Sequence, residues 1–168
     1  MGELYIITGP AGVGKSTISK EIANIKEKSV LIEGDDIYHQ VVGGYVNAWK
    51  PGNHLDIFWK ICFDMINTYL ENDYDVIFNY IVSPEILEKI KNRFINYKTK
   101  FVILITTENE ILRRDSLRTE DCQMKERCIE LLKNFKCKKF DEKFYLDTSD
   151  LTVEETVQAI EKSNKYFI

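Results

Sequence analysis

Short apolar runs alternate with helix-like stretches along the whole chain. A run that is apolar throughout indicates a strand buried on both faces of a sheet. Glycine follows the first two runs directly, at Gly9 and Gly34, so the chain can leave the sheet abruptly there. The pattern predicts strands at residues 4–8, 29–33, 75–80, 101–106 and 144–147.

Helical periodicity fills the gaps between these strands. Ile18, Ile22 and Ile25 lie at i, i+4 and i+7 after the first strand, so they share one face of a predicted helix. A longer helix is predicted over about residues 56–71. Its apolar stripe consists of Ile57, Ile61, Met65 and Tyr69.

Capping residues indicate where two further helices begin. Ser83 precedes Pro84, which is typical of an N-cap followed by the first helical position. Residues 152–155 spell Thr-Val-Glu-Glu, a capping box that opens the last helix. A helical region over about 110–136 carries several arginines, whereas residues 38–53 are predicted to be irregular because glycine, proline and asparagine interrupt them.

The alternation of strands and helices predicts an α/β fold, a three-layer sandwich with a parallel sheet and right-handed crossovers. The chain shows no internal repeat, no low-complexity tract and no linker. We therefore predict one domain over residues 1–168.

The stretch GPAGVGKST lies between the first predicted strand and the first predicted helix, and residues 9–16 fit the P-loop pattern GxxxxGK[ST]. Gly9 allows a sharp turn, Gly14 leaves room for phosphate oxygens, and the N–H groups at the helix start face an anion. Lys15 is predicted to reach the β- and γ-phosphates, and the Ser16 hydroxyl to ligate Mg²⁺.

The alternative is a glycine-rich turn that binds nothing. At the usual glycine frequency, a chance match is expected in fewer than roughly one chain of this length in a hundred. The strand before the motif and the helix after it are also what a P-loop requires. We predict that the phosphates contact Gly9, Gly12, Val13, Gly14, Lys15, Ser16 and Thr17.

A P-loop alone does not separate GTPases, motor ATPases and kinases. A GTPase is expected to carry an NKxD guanine motif, and the chain contains none. A motor ATPase is expected to carry an acid at the end of the third strand, where this chain has Asn79. Both classes are therefore disfavoured.

Two acids lie at the carboxyl end of the second predicted strand, where ligands bind in open α/β folds. Glu33 and Asp35 are two residues apart, so in extended backbone their side chains point to the same face. One carboxylate could hold Mg²⁺ through water while the other accepts a proton from an incoming hydroxyl. A solvated acidic turn is the alternative.

The P-loop, the Gly-Asp after the second strand and the later arginines resemble the small P-loop kinases. These include gluconate kinase, shikimate kinase, adenylylsulfate kinase and chloramphenicol phosphotransferase. The resemblance implies a five-stranded parallel sheet of order 2-3-1-4-5, a helical lid over about residues 110–136, and ATP and Mg²⁺ as cofactors. It also implies Asp35 as the general base and Glu33 beside Ser16 at the metal, with glutamate where these kinases often have aspartate.

Two later segments extend the resemblance. Arg114 and Arg118 resemble the start of the kinase lid, and their i, i+4 spacing places them on one face of a helix, where they would clamp phosphates. With Lys15 and Asp35 they complete the predicted catalytic set. An exposed salt-bridge helix is the alternative. Thr148 lies in a Asp-Thr-Ser turn that borders adenine in these kinases, although a plain helix start explains much of the same pattern.

The acceptor is expected to bind between residues 36–60 and the lid. This segment contains no arginine, whereas nucleoside-monophosphate kinases typically hold the acceptor phosphate with arginines there. The contrast favours a neutral or weakly charged hydroxyl compound, with Lys50 or Lys60 as alternative partners for an acceptor phosphate. The candidate substrate residues are Asp35, Asp36, Tyr38, Trp49, Asn79 and Arg127.

The sequence thus predicts an ATP-dependent kinase that phosphorylates a hydroxyl of a small molecule, either gluconate-kinase-like or an antibiotic or metabolite kinase. Two alternatives stay open. One is a nucleotide-binding regulatory protein or slow ATPase without an acceptor, and the other is a nucleoside or nucleotide kinase.

Composition and charge restrict the partners further. The net charge of −4 and the sequence pI near 5.3 make nucleic acid an unlikely partner. Four cysteines without CxxC spacing and two histidines predict no zinc site. No apolar run approaches the roughly 20 residues that span a bilayer. We expect a cytoplasmic monomer or homodimer with no membrane partner.

Overall fold

A computed structural model describes residues 2–120, 123–137 and 139–168. The described strands form one parallel sheet in the order β2-β3-β1-β4-β5, which confirms the predicted topology. Every predicted strand forms, with ends shifted by two residues or fewer. The strands are β1 Leu4–Thr8, β2 Ser29–Glu33, β3 Asp75–Asn79, β4 Thr99–Ile105 and β5 Tyr145–Asp147.

Helices connect successive strands and cover both faces of the sheet. Ser83 and Thr152 cap two of them through their side chains, as predicted, and Thr152 with Glu155 forms the capping box. The described helices are α1 Lys15–Asn24, α2 Gly34–Tyr38, α3 Leu55–Glu71, α4 Pro84–Arg93, α5 Glu108–Ser116, α6 Glu126–Lys136 and α7 Val153–Lys162, with a 3₁₀ turn at Glu142–Phe144.

The core has two halves, one on each side of the sheet. Leu4 and Ile6 of β1 pack on the side of α3 and α4, whereas Tyr5 and Ile7 pack on the side of α1 and α7. This alternation follows from the two-residue period of a strand. Each face is covered by helices, so the strands are apolar throughout, as the sequence pattern predicts.

The predicted apolar stripe of α3 is displaced by one residue from the buried face. Ile57 is 63% exposed and Ile61 is 41% exposed. The helix is apolar on more than one side, so spacing alone left its rotation ambiguous, and packing against the sheet decides it. The buried residues are Phe58, Trp59, Cys62, Ile66 and Leu70. The prediction for Ile25 was also wrong: α1 ends at Asn24, and Ile25 is 58% exposed.

The predicted helical region 110–136 is two helices. Because α5 ends at Ser116 and α6 begins at Glu126, Arg118 lies beyond the end of α5. The prediction that Arg114 and Arg118 share a helical face was therefore wrong. Both side chains nevertheless line the same cavity, Arg114 from α5 and Arg118 from the segment that follows it.

The described residues between α5 and α6, residues 117–120 and 123–125, are called the lid turn here. The Gln123 side-chain amide donates hydrogen bonds to the carbonyl oxygens of Ser116 and Arg118, at 3.3 and 2.9 Å. The Ser116 carbonyl belongs to the last residue of α5 and the Arg118 carbonyl lies just beyond it, where helical hydrogen-bond partners are lacking. The contact ends the helix and turns the chain.

No helix in the described part of the chain is long and apolar enough to cross a membrane.

Candidate active site

The loop between β1 and α1 has the backbone shape of a phosphate cradle. Gly9 has φ 145° and Gly14 has φ 104°, conformations that residues with a Cβ rarely adopt. A Cβ at Gly9 would also lie 2.5 Å from the Leu104 carbonyl oxygen. Gly14 is the N-cap of α1 and supplies no side chain, so the first N–H groups of the helix are open to an anion.

Lys15, the first residue of α1, lies in the cavity beside the loop. Its ammonium donates a hydrogen bond to the Pro10 carbonyl oxygen at 3.0 Å. Loss of water around the ammonium lowers the pKa of Lys15 to about 8, although the carboxylates of Asp35 and Glu33 act in the opposite direction. An anion in the cradle would add a further partner of favourable charge.

Ser16, Glu33 and Asn79 form one polar cluster at the carboxyl ends of β2 and β3. Glu33 and Asn79 are register partners in adjacent strands, which brings their side chains together. The Ser16 hydroxyl donates to Glu33 Oε2 at 3.3 Å, and Asn79 Nδ2 donates to Ser16 Oγ at 3.0 Å and also to Glu33 Oε2. Burial raises the pKa of Glu33, partly offset by these hydrogen bonds from Ser16 and Asn79.

This cluster has the oxygen donors that Mg²⁺ prefers. Mg²⁺ is usually held by one or two carboxylates, hydroxyls and substrate phosphates rather than by a complete protein cage. Within the described ranges, no three His, Cys, Asp or Glu side chains cluster as such a cage would need. Ser16 and Glu33 therefore fit the predicted metal position, and Asn79 orients both of them.

Asp35 reaches the cavity from a helix, not from the end of a strand. Because α2 begins at Gly34, the prediction that Glu33 and Asp35 share a face in extended backbone was wrong. Asp35 nevertheless lines the same cavity as Ser16 and Asn79. The neighbouring Asp36 is exposed and outside the cavity lining.

One cavity of about 930 Å³ is lined by most of these residues, although the predicted site residues Gly9 and Glu33 are not part of its lining. Its walls come from the P-loop, α2, the end of β3, α5, the lid turn and the start of α7. The side chains predicted as catalytic or nucleotide-binding that line it are those of Val13, Lys15, Ser16, Thr17, Asp35, Arg114, Arg118 and Thr148, together with the backbone of Gly12 and Gly14.

Arg114 links the P-loop to the turn after β5. Its guanidinium donates to the Val13 carbonyl oxygen at 2.9 Å, to Thr148 Oγ1 at 3.0 Å and to the Thr148 carbonyl oxygen at 2.8 Å. Its Nε donates to Glu110 Oε1 at 2.7 Å. Most of its donors are thus engaged by protein, so Arg114 holds the walls of the cavity together.

Arg118 is the less constrained of the two predicted lid arginines. Its side chain is 41% exposed, and its one hydrogen bond to another described side chain is long, 3.4 Å from Nη1 to Asp115 Oδ1. Arg118 lines the cavity, so its guanidinium N–H groups are available to donate hydrogen bonds to a phosphate there.

Sequence reasoning did not select Glu110, which also lines the cavity. It binds both Arg113 and Arg114 at 2.7 Å, and these hydrogen bonds lower the pKa of Glu110 to about 2. The i, i+4 spacing of Glu110 and Arg114 was the available signal. Met124, in the lid turn, lines the cavity as well and gave no signal in the sequence.

The remaining predicted substrate residues lie outside the cavity lining. Tyr38 is 2% exposed, stacks on His54 with ring centroids 4.1 Å apart, and donates its hydroxyl proton to the Val46 carbonyl oxygen. Tyr38 is therefore a packing residue. Trp49 is 65% exposed, and the Arg127 guanidinium lies 4.7 Å from its ring centroid. This pair connects the acceptor segment to α6.

The chain matches no protein-family model and no curated protein sequence. Solved structures do match along nearly its whole length. The tunicamycin resistance protein of Deinococcus radiodurans has 18% identity and a TM-score of 0.71, with 95% of this chain and 94% of that chain covered. A gluconokinase from Sinorhizobium meliloti has 19% identity and a TM-score of 0.66, with 95% and 90% covered.

The APS kinase of Mycobacterium tuberculosis, in complex with AMPPNP and APS, has 14% identity and a TM-score of 0.68, with 95% of each chain covered. These similarities confirm the predicted fold: the chain has the fold of the small P-loop kinases. At such identities they extend to the fold and not to the substrate.

Proposed function

We propose that this protein is a phosphotransferase that moves the γ-phosphate of ATP to a hydroxyl group of a small molecule, with Mg²⁺ as cofactor. The observation that carries the proposal is the single cavity that contains the P-loop, Arg118 and the carboxylate of Asp35. An anion cradle and a proton acceptor in one enclosure are the two requirements of phosphoryl transfer to an alcohol.

The triphosphate would bind across the P-loop and the N-terminus of α1. Lys15 would contact its β- and γ-phosphates, and Arg118 would approach from the lid turn. The Thr148 side of the cavity would receive the adenine, since Arg114 fixes this turn to the P-loop. Binding of AMPPNP by the structurally similar APS kinase supports a nucleotide in this position.

Mg²⁺ would be held by the Ser16 hydroxyl, with the Glu33 carboxylate accepting hydrogen bonds from its waters. When bound, the ion neutralises phosphate charge and orients the γ-phosphate. Asn79 donates to both Ser16 and Glu33, so it sets the position of both oxygens. At the end of the third strand, where motor ATPases have an acid, this chain therefore has an amide that would orient the Ser16 hydroxyl and the Glu33 carboxylate.

Asp35 would act as general base. Its carboxylate would accept the proton of the acceptor hydroxyl as the oxygen–phosphorus bond forms and ADP leaves. The helix position of Asp35 points the carboxylate into the cavity beside Lys15, whose ammonium it also influences.

A neutral or weakly charged acceptor fits the charges on this side of the molecule. Glu33, Asp35 and Asp36 supply negative charge, and residues 36–60 contain no arginine. The one nearby guanidinium of α6 with a described contact, Arg127, lies over Trp49. An acceptor that carries a phosphate would meet these carboxylates, with Lys50 and Lys60 as the lysines of residues 36–60 that could balance its charge.

A screen of acceptors tests the proposal. Purified protein with ATP and Mg²⁺ is incubated with sugars, nucleosides, aminoglycosides and phenicols, and ADP release and transfer of labelled γ-phosphate are both measured. The proposal predicts that one class raises ADP release and becomes labelled in equal amount. Slow ADP release that no acceptor stimulates would favour the regulatory protein or slow ATPase instead.

A further inference from the structure

The carboxylate of Asp115 joins the end of α5 to the start of α6. Asp115 is 2% exposed. It accepts hydrogen bonds from the backbone N–H of Met124, at 2.9 Å to Oδ2, and of Lys125, at 2.7 Å to Oδ2. Its Oδ1 also receives the long contact from Arg118. One side chain therefore contacts both sides of the lid turn.

This position is unfavourable for an acid unless those contacts are made. Asp115 lies in the last turn of α5, where the helix dipole disfavours negative charge, and burial of a carboxylate costs free energy unless it is hydrogen-bonded. Burial opposes its ionisation, yet the hydrogen bonds from Lys125 and Met124 outweigh it and lower the pKa of Asp115.

The residue that Asp115 holds has an unusual backbone. Lys125 has φ 50° and ψ −127°, a combination that favours glycine because a Cβ is strained there. Such conformations persist when surrounding contacts fix them, and they concentrate at ligand-binding sites. The Asp115 carboxylate fixes the N–H side of Lys125, while the Lys125 carbonyl oxygen accepts the Cys128 N–H of α6 at 3.0 Å.

The base of the lid is packed against the P-loop. Ile111, Cys128 and Leu132 form a small buried cluster. A Cβ at Gly12 would lie 3.3 Å from Cys128 Sγ and 3.4 Å from Ile111 Cγ1, so the loop and the cluster are in close contact. Because this packing fixes α5 and α6 against the P-loop, the orientation of Arg118 and Met124 depends on the conformation of the lid turn between the two helices.

We propose that Asp115 is the positioning residue of the lid: by holding Lys125 in its glycine-like conformation, it directs Arg118 and Met124 into the cavity. This inference rests on the proposed function, because Arg118 is taken there to contact the phosphates. Asp115 itself touches neither nucleotide nor acceptor. It acts through the backbone of the lid turn.

The test begins with Asp115→Asn, which preserves size but removes the negative charge and replaces one acceptor oxygen with an NH2 group that cannot accept a hydrogen bond. The remaining hydrogen bonds to Met124 and Lys125 lose their charge assistance, and Oδ1 or Oδ2 loses its contacts altogether. The matched control is Asp141→Asn, since Asp141 also accepts a backbone N–H, that of Lys143 at 3.0 Å, but lies outside the cavity lining. Asp115→Asn is expected to lower kcat between about 10- and 100-fold, the scale for a displaced catalytic group. AMPPNP affinity should change less than about threefold, because the P-loop is untouched. Asp141→Asn should keep the wild-type kcat.

A second substitution separates positioning from general loss of structure. Glycine adopts the Lys125 conformation without strain, so adding Lys125→Gly to Asp115→Asn should recover most of the lost kcat. Lys125→Gly alone should keep the wild-type kcat and raise the melting temperature. An unrecovered double variant, a lower melting temperature for Lys125→Gly, or equal losses of kcat and AMPPNP affinity in Asp115→Asn would each overturn the inference.

Amide hydrogen exchange gives a readout that needs no acceptor. The N–H groups of Met124 and Lys125 should exchange faster in Asp115→Asn than in the wild type, while those of α7 stay unchanged. Unchanged exchange at Met124 and Lys125 contradicts the inference. If the acceptor screen fails in the wild-type protein, the proposed function fails, and this exchange measurement still decides the role of Asp115.

Discussion

At the scale of single residues, the carboxylate nearest the P-loop serine comes from β2, while β3 contributes an amide. Glu33 and Asn79 are register partners, and Asn79 donates to both Glu33 and Ser16. The pair would therefore offer one negative charge to the Mg²⁺ ion that we propose Ser16 holds. Because the two positions are paired, we expect that the carboxylate could be moved from position 33 of β2 to position 79 of β3.

Glu33→Gln should weaken Mg²⁺ binding about 10- to 100-fold, as loss of a ligand-orienting carboxylate usually does. The exchanged variant Glu33→Gln with Asn79→Asp should recover part of this affinity, because a carboxylate returns to the paired position. Both are measured by Mn²⁺ binding in electron paramagnetic resonance, in the presence of AMPPNP. Metal affinity that is unchanged in Glu33→Gln would remove Glu33 from the site.

A second single-residue feature is the contact between Gly34 and Tyr80. A Cβ at Gly34 would lie 2.6 Å from the Tyr80 ring, whose side chain packs on Phe58 and Trp59. This ring cannot withdraw without disturbing the core. Gly34 also begins α2 and so determines where Asp35 stands.

Gly34→Ala should therefore destabilise the protein by about 1–3 kcal/mol, the usual cost of overpacking a core. Gly43→Ala is the matched control, because a Cβ there meets nothing within 4 Å and Gly43 has no positive φ. Urea unfolding measures both variants. Equal stability of the two variants would contradict this prediction, because it would show that the backbone at Gly34 or the Tyr80 ring can move aside for a Cβ.

At the scale of elements, α5 is tied to the P-loop by charge. Glu110 binds Arg114, which in turn binds the Val13 carbonyl oxygen. The pKa of Glu110 is lowered to about 2 from an ordinary value of 4.5. A carboxylate whose pKa falls on folding stabilises the protein fully above its ordinary pKa and loses that contribution as the pH falls through the lower value.

The stability difference between the wild type and Glu110→Gln should consequently be largest above about pH 4.5 and shrink as the pH falls towards about 2. Urea unfolding at a series of pH values measures it. Glu130→Gln, an exposed glutamate on α6, is the control and should show little difference at any pH. A difference for Glu110→Gln that does not vary with pH would mean that the ionic contacts contribute nothing.

The elements themselves were largely predictable, and the exceptions have physical causes. Buried parallel strands are apolar throughout, and the caps at Ser83 and Thr152 are local, so both could be found from sequence. The rotation of α3 could not, because that helix is apolar on more than one side. The break after Ser116 depends on contacts of Asp115 and Gln123 across the lid turn, which no periodicity encodes.

At the scale of the whole molecule, the strand order brings the functional residues together. β2, β3 and β1 are adjacent and parallel, so Glu33, Asn79 and the P-loop meet at the carboxyl ends of these three strands. The P-loop was predictable because its spacing is local, whereas the relative placement of Glu33 and Asp35 was not, because α2 begins between them at Gly34. The sheet order followed from the resemblance to small P-loop kinases, and the roles of Glu110, Met124 and Tyr38 required the packed structure.

The central claim is that this cavity transfers phosphate to a hydroxyl with Asp35 as the base. The most direct test is the transfer rate of Asp35→Asn in a single turnover, with labelled ATP and an acceptor found in the screen. Glu85→Gln is the control, since Glu85 is an exposed acid in the first turn of α4, as Asp35 is in the first turn of α2, and lies outside both the acceptor segment and the cavity lining.

Transfer should fall about 100-fold or more in Asp35→Asn, the scale for loss of a general base, while AMPPNP affinity stays within about threefold of the wild type. Glu85→Gln should transfer phosphate at the wild-type rate. A wild-type transfer rate in Asp35→Asn would contradict the account.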